Sequence, residues 1–154
     1  MTIDFYNAGM NFYETGKHKE AYEHLIQDDT NPKCAFALGV MYNNGDGIDR
    51  DLKKSTHYYI MAAEAGIVPA QVSVGFAYTN AIGVPQDFDK AVRYLKPAAD
   101  AGEESAKVTL AEIYAMGKAG GTKADASKLI REVLSSSNSK EAMDIYNKYE
   151  LDRA

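Results

Sequence analysis

The sequence CAFALGVMYNNGDGIDRDLKKSTHYYIMAAEAGIVPA occupies residues 34–70, and the residues after it repeat its pattern. Tyr42 recurs as Tyr78, 36 positions later (78 − 42), and Gly66 recurs as Gly102 at the same interval (102 − 66). Tyr114 lies a further 36 positions along the chain (114 − 78). A fixed period of this length is typical of solenoids, in which one supersecondary unit stacks on the next.

The repeated unit has the pattern of two helices joined by a glycine-containing turn. Cys34, Leu38 and Tyr42 are four residues apart, so they are predicted to form one buried stripe on the first helix. Gly39, beside this stripe, has no side chain and allows a second helix to approach closely. The segment Gly45–Gly47 is predicted to end the first helix in a turn.

Capping residues mark the predicted helix ends. Asp51 and Asp87 are predicted N-caps, because an aspartate oxygen accepts hydrogen bonds from the free N–H groups of the first turn. Asn31, which precedes a proline, is predicted to do the same for the helix of the stripe. Gly66 and Gly102 are predicted to terminate second helices.

Two segments depart from the repeat. Pro97 lies well inside a predicted helix, where it removes a hydrogen bond to the carbonyl of Arg93, so we expect a kink or a break there. Ser135–Asn138 is predicted to be a loop before a last amphipathic helix over 139–150. The apolar side of that helix consists of Ala142, Ile145, Tyr146 and Tyr149.

The matching positions of the two copies resemble the SEL-one-like repeat (SLR) family, a relative of the tetratricopeptide (TPR) repeat. The resemblance is strong over 34–105 and partial over 106–150. It implies an all-α fold, a right-handed α-α superhelix of three to four helix pairs plus a C-terminal helix. The chain is then a single solenoid domain over 1–154, with units at about 3–33, 34–69, 70–105 and 106–138 and a capping helix at 139–150.

Composition narrows the class of partner. The chain has 154 residues, a net charge of −5 and no run of lysines. Nucleic-acid binders and binders of anionic membranes rely on clustered Lys and Arg, so no nucleic-acid partner is predicted. An acidic chain favours a partner with a basic surface. No apolar stretch reaches the length that a bilayer requires, so no membrane insertion is predicted.

The predicted compartment is the cytoplasm. The first residues show no signal peptide, and the single cysteine, Cys34, cannot form an internal disulfide.

No catalytic, cofactor-binding or metal-binding motif is present in the sequence. His18, His24 and His57 are scattered, without the spacing of a metal site. Cys34 lies on the predicted core stripe, where a buried inert thiol is expected. The chain is therefore predicted to be neither an enzyme nor dependent on a cofactor. An SLR-type hydrolase is the alternative that the resemblance raises, although the family members linked to β-lactam hydrolysis are rich in paired cysteines.

The resemblance also implies a concave groove lined by the first helix of each unit. On the helix of Cys34, the residues Phe36 and Val40 point about 160° away from the stripe, at about 100° per residue, yet both are apolar. The predicted groove residues across the chain are Tyr6, Met10, Tyr13, Phe36, Val40, Asn43, Asn44, Val72, Phe76, Thr79, Asn80, Val108, Glu112 and Met116. Alternatively, these side chains pack against neighbouring helices inside a tight superhelix.

The predicted function is non-catalytic binding of a peptide or a partner protein in this groove. Phe36, Phe76 and Val40 would be anchors. Asn43, Asn44 and Asn80 would hold backbone amides. Such a module serves as an adaptor, as a regulator, or as a small bacterial immunity protein that blocks a toxin or effector. A structural piece of a larger assembly is a further alternative.

Overall fold

The computed structural model describes residues 2–153, and all regular secondary structure in this range is helical. Short 3-10 turns occupy Ile26–Asp28 and Leu151–Arg153. The α-helices are α1 (Phe5–Glu14), α2 (His18–Leu25), α3 (Pro32–Asn44), α4 (Leu52–Glu64), α5 (Val68–Asn80), α6 (Phe88–Asp100), α7 (Glu104–Ala115), α8 (Lys123–Ser136) and α9 (Lys140–Lys148).

The predicted caps are confirmed. Asp51 and Asp87 each accept a hydrogen bond from the N–H group three residues later, at 3.0 and 2.9 Å. Asn31 accepts one from the N–H two residues later, at 3.0 Å. Gly66 and Gly102 follow the ends of α4 and α6 with φ of +90° and +94°, a left-handed conformation that glycine adopts at no steric cost.

Glycines let the two helices of a pair approach closely. A Cβ atom added at Gly39 of α3 would lie 2.6 Å from the ring of Tyr59 on α4. Gly9 of α1 is held in the same way against Leu25 of α2. Ser55 strengthens the contact of α3 with α4, because its buried hydroxyl donates to the carbonyl of Gly39 at 2.8 Å. The predicted close approach at Gly39 is therefore confirmed.

Two compact units divide the chain. The first comprises the residues up to Val74 together with Ile82–Pro85, and the second comprises Gly75–Ala81 together with the residues from Gln86 onward. That the whole chain forms one solenoid domain stays a prediction.

Each unit has its own buried core. The core of the first unit contains Ala21, Leu25, Cys34, Leu38 and Met41. The core of the second contains Val108, Ala111, Ala115, Ala126, Ile130, Val133, Ala142, Ile145 and Leu151. The predicted stripe of Cys34, Leu38 and Tyr42 is buried, as expected.

Pro97 does not break its helix. The chain remains helical from Phe88 to Asp100, and the N–H of Ala101 donates to the carbonyl of Pro97 at 3.0 Å. The expected break was wrong because the proline lies in the last turn and on an exposed side of α6, where it removes a single backbone hydrogen bond.

The loop that follows α8 is shorter than predicted. Helix α8 continues through Ser135 and Ser136, and the loop begins at Ser137. The Ser135 hydroxyl donates to the carbonyl of Glu132 at 2.7 Å, which keeps the serine compatible with the helix. Ser139 then caps α9, the predicted last helix.

Candidate partner-binding surface

Helices α1 and α3 of the first unit enclose a small apolar pit. We call it the α1/α3 pit, and its volume is about 130 Å³. Its walls are Tyr6, Met10 and Tyr13 of α1 and Lys33, Phe36, Ala37 and Val40 of α3. The residues from α1 are spaced four and three positions apart, and so share one helix face. Five of the seven predicted groove residues of these two helices therefore line one cavity.

The aromatic walls of the pit are held in place by neighbouring rings. Phe36 packs at a tilt against Tyr59, with centroids 5.7 Å apart. Tyr13 stacks on His18, with centroids 4.8 Å apart and an angle of 25° between the rings. Both Phe36 and Tyr13 are half-buried, so each keeps part of its surface accessible. The pit is thus partly preorganised for an apolar side chain.

The two ends of the pit carry opposite charges. At one end the Lys33 ammonium lies 5.6 Å from the centroid of the Tyr6 ring. At the other end the Tyr13 hydroxyl donates a 2.7 Å hydrogen bond to Oδ2 of Asp46. This hydrogen bond, with burial as a further cause, raises the pKa of the Tyr13 phenol. Tyr13 is therefore a neutral donor that orients the Asp46 carboxylate.

Asn43 and Asn44 are held by the loop that contains Asp46. The Asn44 amide donates to Oδ2 of Asp46 at 3.1 Å, and the Asn43 amide donates to Oδ1 of Asn44 at 3.1 Å. The side chain of Arg50 donates to the carbonyl of Asn43 at 2.8 Å. These asparagines support the carboxylate at the end of the pit. Their role in holding a partner's backbone stays a prediction.

The predicted groove residues of α5 do not line the α1/α3 pit. Val72, in the first unit, is half-buried outside it. Phe76, in the second unit, is 50% exposed. The Thr79 hydroxyl donates to the carbonyl of Gly75 at 2.8 Å, and the Asn80 amide donates to the carbonyl of Phe76 at 3.0 Å. Both polar side chains thus bond their own helix.

The predicted groove residues of α7 and its end have three different environments. Val108 is 1% exposed within the core of the second unit, so it does not line an accessible surface. Its expected position was wrong because α8, α9 and the final 3-10 turn cover that side of α7. Glu112 forms a 3.1 Å ion pair with Lys148 of α9. Met116 is 38% exposed.

Lys33, which lines the pit, and Asp46, which is hydrogen-bonded to the pit residue Tyr13, were not predicted from the sequence. Lys33 lies three and seven positions before Phe36 and Val40, so helical spacing alone places it on their face. Asp46 had no comparable signal. The sequence places it in a turn, and its partner Tyr13 belongs to α1, 33 positions earlier in the chain.

The described residues do not assemble a metal-ligating cluster around the pit. No group of three or more His, Cys, Asp or Glu within residues 2–153 is arranged to hold a metal ion. Cys34 is buried, and burial raises the pKa of its thiol to about 11. No helix in the described part of the chain is long and apolar enough to cross a membrane. The chemistry available at the pit is apolar contact, hydrogen bonding and charge pairing.

Comparison with known families decides the identity of the repeated unit. The Sel1 repeat profile matches residues 32–67 and 68–103. Two consecutive segments of the chain therefore match the Sel1 repeat. The predicted resemblance to the SEL-one-like repeat family is therefore confirmed. Sel1 repeats generally mediate contacts between proteins and are typically non-catalytic. No curated protein matches the sequence significantly.

Two solved structures are similar in fold to this chain. A Sel1 repeat protein from Oxalobacter formigenes is 23% identical with a TM-score of 0.75, and the match covers 89% of this chain and 58% of that one. A protective antigen of uropathogenic Escherichia coli strains, which displays an SLR fold, is 21% identical with a TM-score of 0.77. That match covers 96% of this chain and 38% of the antigen. The likeness confirms the predicted all-α solenoid class of helix pairs.

Proposed function

We propose that this Sel1-repeat chain is a non-catalytic interaction module that binds a peptide segment of a partner protein. The first contact surface is the α1/α3 pit of the first unit. The partner would insert an apolar side chain between Met10 and Phe36, as an anchor residue fills a pocket in other peptide-binding domains. The module would serve as an adaptor, a regulator or a small immunity protein.

The observation that carries this proposal is the size and lining of the pit. A volume of about 130 Å³ is close to that of apolar protein cavities that bind one benzene molecule, about 150 Å³. The pit therefore has room for one medium-sized apolar side chain. Its walls are rigid aromatic rings and the flexible thioether of Met10, a combination suited to packing around an inserted group.

The chemistry of the chain favours binding over catalysis. The one thiol, that of Cys34, is buried, and its raised pKa keeps it protonated at neutral pH. The net charge of −5 favours a partner with a basic surface, such as a basic toxin or a signalling protein.

Selection from a displayed random peptide library on the folded chain tests the proposal. Selected peptides are synthesised with a fluorescent label, and their affinities are measured by polarisation for the wild type and two variants. Met10→Ala removes a wall of the pit. Met143→Ala is the matched control, because it deletes the same atoms from α9, where Met143 is 44% exposed.

We expect Met10→Ala to weaken binding by about tenfold or more, as loss of a buried anchor contact does. Met143→Ala should leave affinity unchanged. The melting temperature of each variant is measured beside its affinity. The proposal that the pit binds a partner would be wrong if all three folded proteins bound with equal affinity. It would also be wrong if the selection enriched no peptide.

A further inference from the structure

The charges at the two ends of the α1/α3 pit point to the kind of peptide that it binds. We infer that the preferred segment is extended, carries one apolar residue for the pit, and places a Lys or Arg beside Asp46. A carboxylate on the other side of the apolar residue would lie near Lys33. This inference rests on the proposed binding function and adds the charge pattern of the partner.

Asp46 is built to receive a cation. Its Oδ2 atom accepts hydrogen bonds from the Tyr13 hydroxyl and the Asn44 amide, which fix the orientation of the carboxylate. Among the described residues, no Lys, Arg or His lies within ion-pair distance of Asp46. The carboxylate is half-buried, so its charge is less screened than that of a fully exposed aspartate. An incoming ammonium or guanidinium would therefore meet an oriented anion without a competing partner.

Lys33 places a positive charge at the end of the pit that is opposite Asp46. It is exposed, and within residues 2–153 it forms no ion pair with a carboxylate. Its contact with the Tyr6 ring holds the ammonium at the far end of the pit from Asp46. A second basic residue would be repelled there, whereas an acidic side chain would be attracted. Opposite charges on the two sides of the apolar residue are therefore favoured.

The dimensions of the pit match an extended segment of about five residues. Helix α1 rises by about 10 Å between Tyr6 and Tyr13, whose side chains lie at the two charged ends. An extended chain advances at most about 3.3–3.6 Å per residue, so residues two before and two after the apolar one are separated by about 13 Å. Charged side chains at those two positions reach both ends of the pit.

An array of labelled pentapeptides tests the charge pattern. Each peptide has Phe at the centre, Ala on both sides of it, and charged residues at the two outer positions. The four combinations are Asp with Lys, Lys with Asp, Lys with Lys, and Asp with Asp. We expect the wild-type protein to bind one of the two mixed peptides most tightly. The doubly basic peptide should bind less tightly, and the doubly acidic peptide should bind least tightly.

Variants at Asp46 test whether the charge preference of the peptides arises at the pit. Asp46→Asn keeps the shape of the side chain and should cost the mixed peptide about tenfold in affinity. Asp46→Lys should reverse the ranking of the doubly acidic and doubly basic peptides, a reversal that unfolding cannot produce. Asp49→Asn is the matched control, because it removes the same charge from an exposed position three residues away.

The outcomes separate this inference from the proposed function. If peptides bind, and Met10→Ala weakens them, but Asp46→Asn and Asp49→Asn leave the charge ranking unchanged, the inferred pattern is wrong and the proposed function stands. If no peptide binds, or binding is unaffected by Met10→Ala, both are wrong. Light scattering over a range of protein concentrations completes the test. Self-association that Met10→Ala abolishes would make a second copy of the chain the occupant and overturn the peptide assignment.

Discussion

Tyr42 of α3 stacks on Tyr58 of α4, with ring centroids 5.8 Å apart and an angle of 6° between the ring planes. The same pair recurs in the second unit, where the centroids of Tyr78 and Tyr94 are 6.1 Å apart and the angle is 9°. The 36-residue period thus repeats a specific ring contact between the two helices of a pair. A stacked aromatic pair adds about 0.5–1.5 kcal/mol to the stability that its buried area supplies.

The stacked pair of the first unit should make stability sensitive to alkaline pH. Burial first, and then the hydrogen bond to Asp29, raises the pKa of Tyr58 to about 12. An unfolded tyrosine titrates near pH 10, so the neutral phenol is favoured in the folded state. Its contribution to stability is complete below pH 10 and is lost as the pH rises from about 10 to 12.

Tyr58→Phe tests this dependence by urea unfolding at pH 7 and between pH 10 and 12. We expect a loss of about 0.5–1.5 kcal/mol at pH 7, because the hydrogen bond to Asp29 is removed. The variant should also lose less stability than the wild type between pH 10 and 12. Tyr6→Phe is the control, since within the described residues its hydroxyl makes no hydrogen bond. An equally steep alkaline decline in Tyr58→Phe would contradict the assignment.

Substitution by alanine should destabilise the protein by different amounts at two glycines that have a left-handed backbone conformation. Gly66 has a φ of +90° and open space around its Cα, whereas Gly83 has a φ of +69° and lies against the carbonyl of Leu52. Gly66→Ala should cost about 1–2 kcal/mol, from backbone strain alone. Gly83→Ala should cost about 1–3 kcal/mol more, because the new methyl group collides with backbone atoms. Chemical denaturation of both variants measures the difference, and equal losses would show that the loop does not pack on α4 as described.

Cys34 should be protected from thiol reagents in the folded protein. The side chain is fully buried, and its thiol has a pKa of about 11. At pH 8 only about one thiol in a thousand is then a thiolate, the reactive form. We expect slow labelling by an aromatic disulfide reagent in buffer and rapid labelling in urea. The unfolded protein in urea is the control for the reactivity of the thiol. Rapid labelling of the native protein would mean that α3 does not bury this face.

Pro97→Ala should stabilise the protein. The proline supplies no N–H to the carbonyl of Arg93, although α6 continues past it. Alanine in a helix interior is favoured over proline by up to about 3 kcal/mol, and the loss of proline's rigidity in the unfolded chain offsets about 0.4–1 kcal/mol of this. A gain of about 1–2 kcal/mol in thermal or urea unfolding is the expected result. Lys96→Ala, at the exposed neighbouring position, serves as the control, and destabilisation by Pro97→Ala would show that the proline's shape is required for packing.

The sequence by itself determined the repeat, the helix pairs and most of their ends. These features depend on local physics, because the 3.6-residue period places Cys34, Leu38 and Tyr42 on one stripe, and short polar side chains such as Asp51 cap the helix that follows. The close approach at Gly39 could also be predicted, since a missing side chain is visible in the sequence itself.

Only the tertiary structure decided which apolar faces are covered. Val108 and Phe76 were predicted on equivalent surfaces, yet α8 and α9 bury the first, while the second is half exposed. The pairing of Tyr13 with Asp46 joins residues 33 positions apart in the sequence, an interval that no helical period predicts. Helical periodicity assigns a residue to a face, but the elements that pack on that face come from elsewhere in the chain. The α1/α3 pit and its two charged ends therefore form only when α1 packs beside α3.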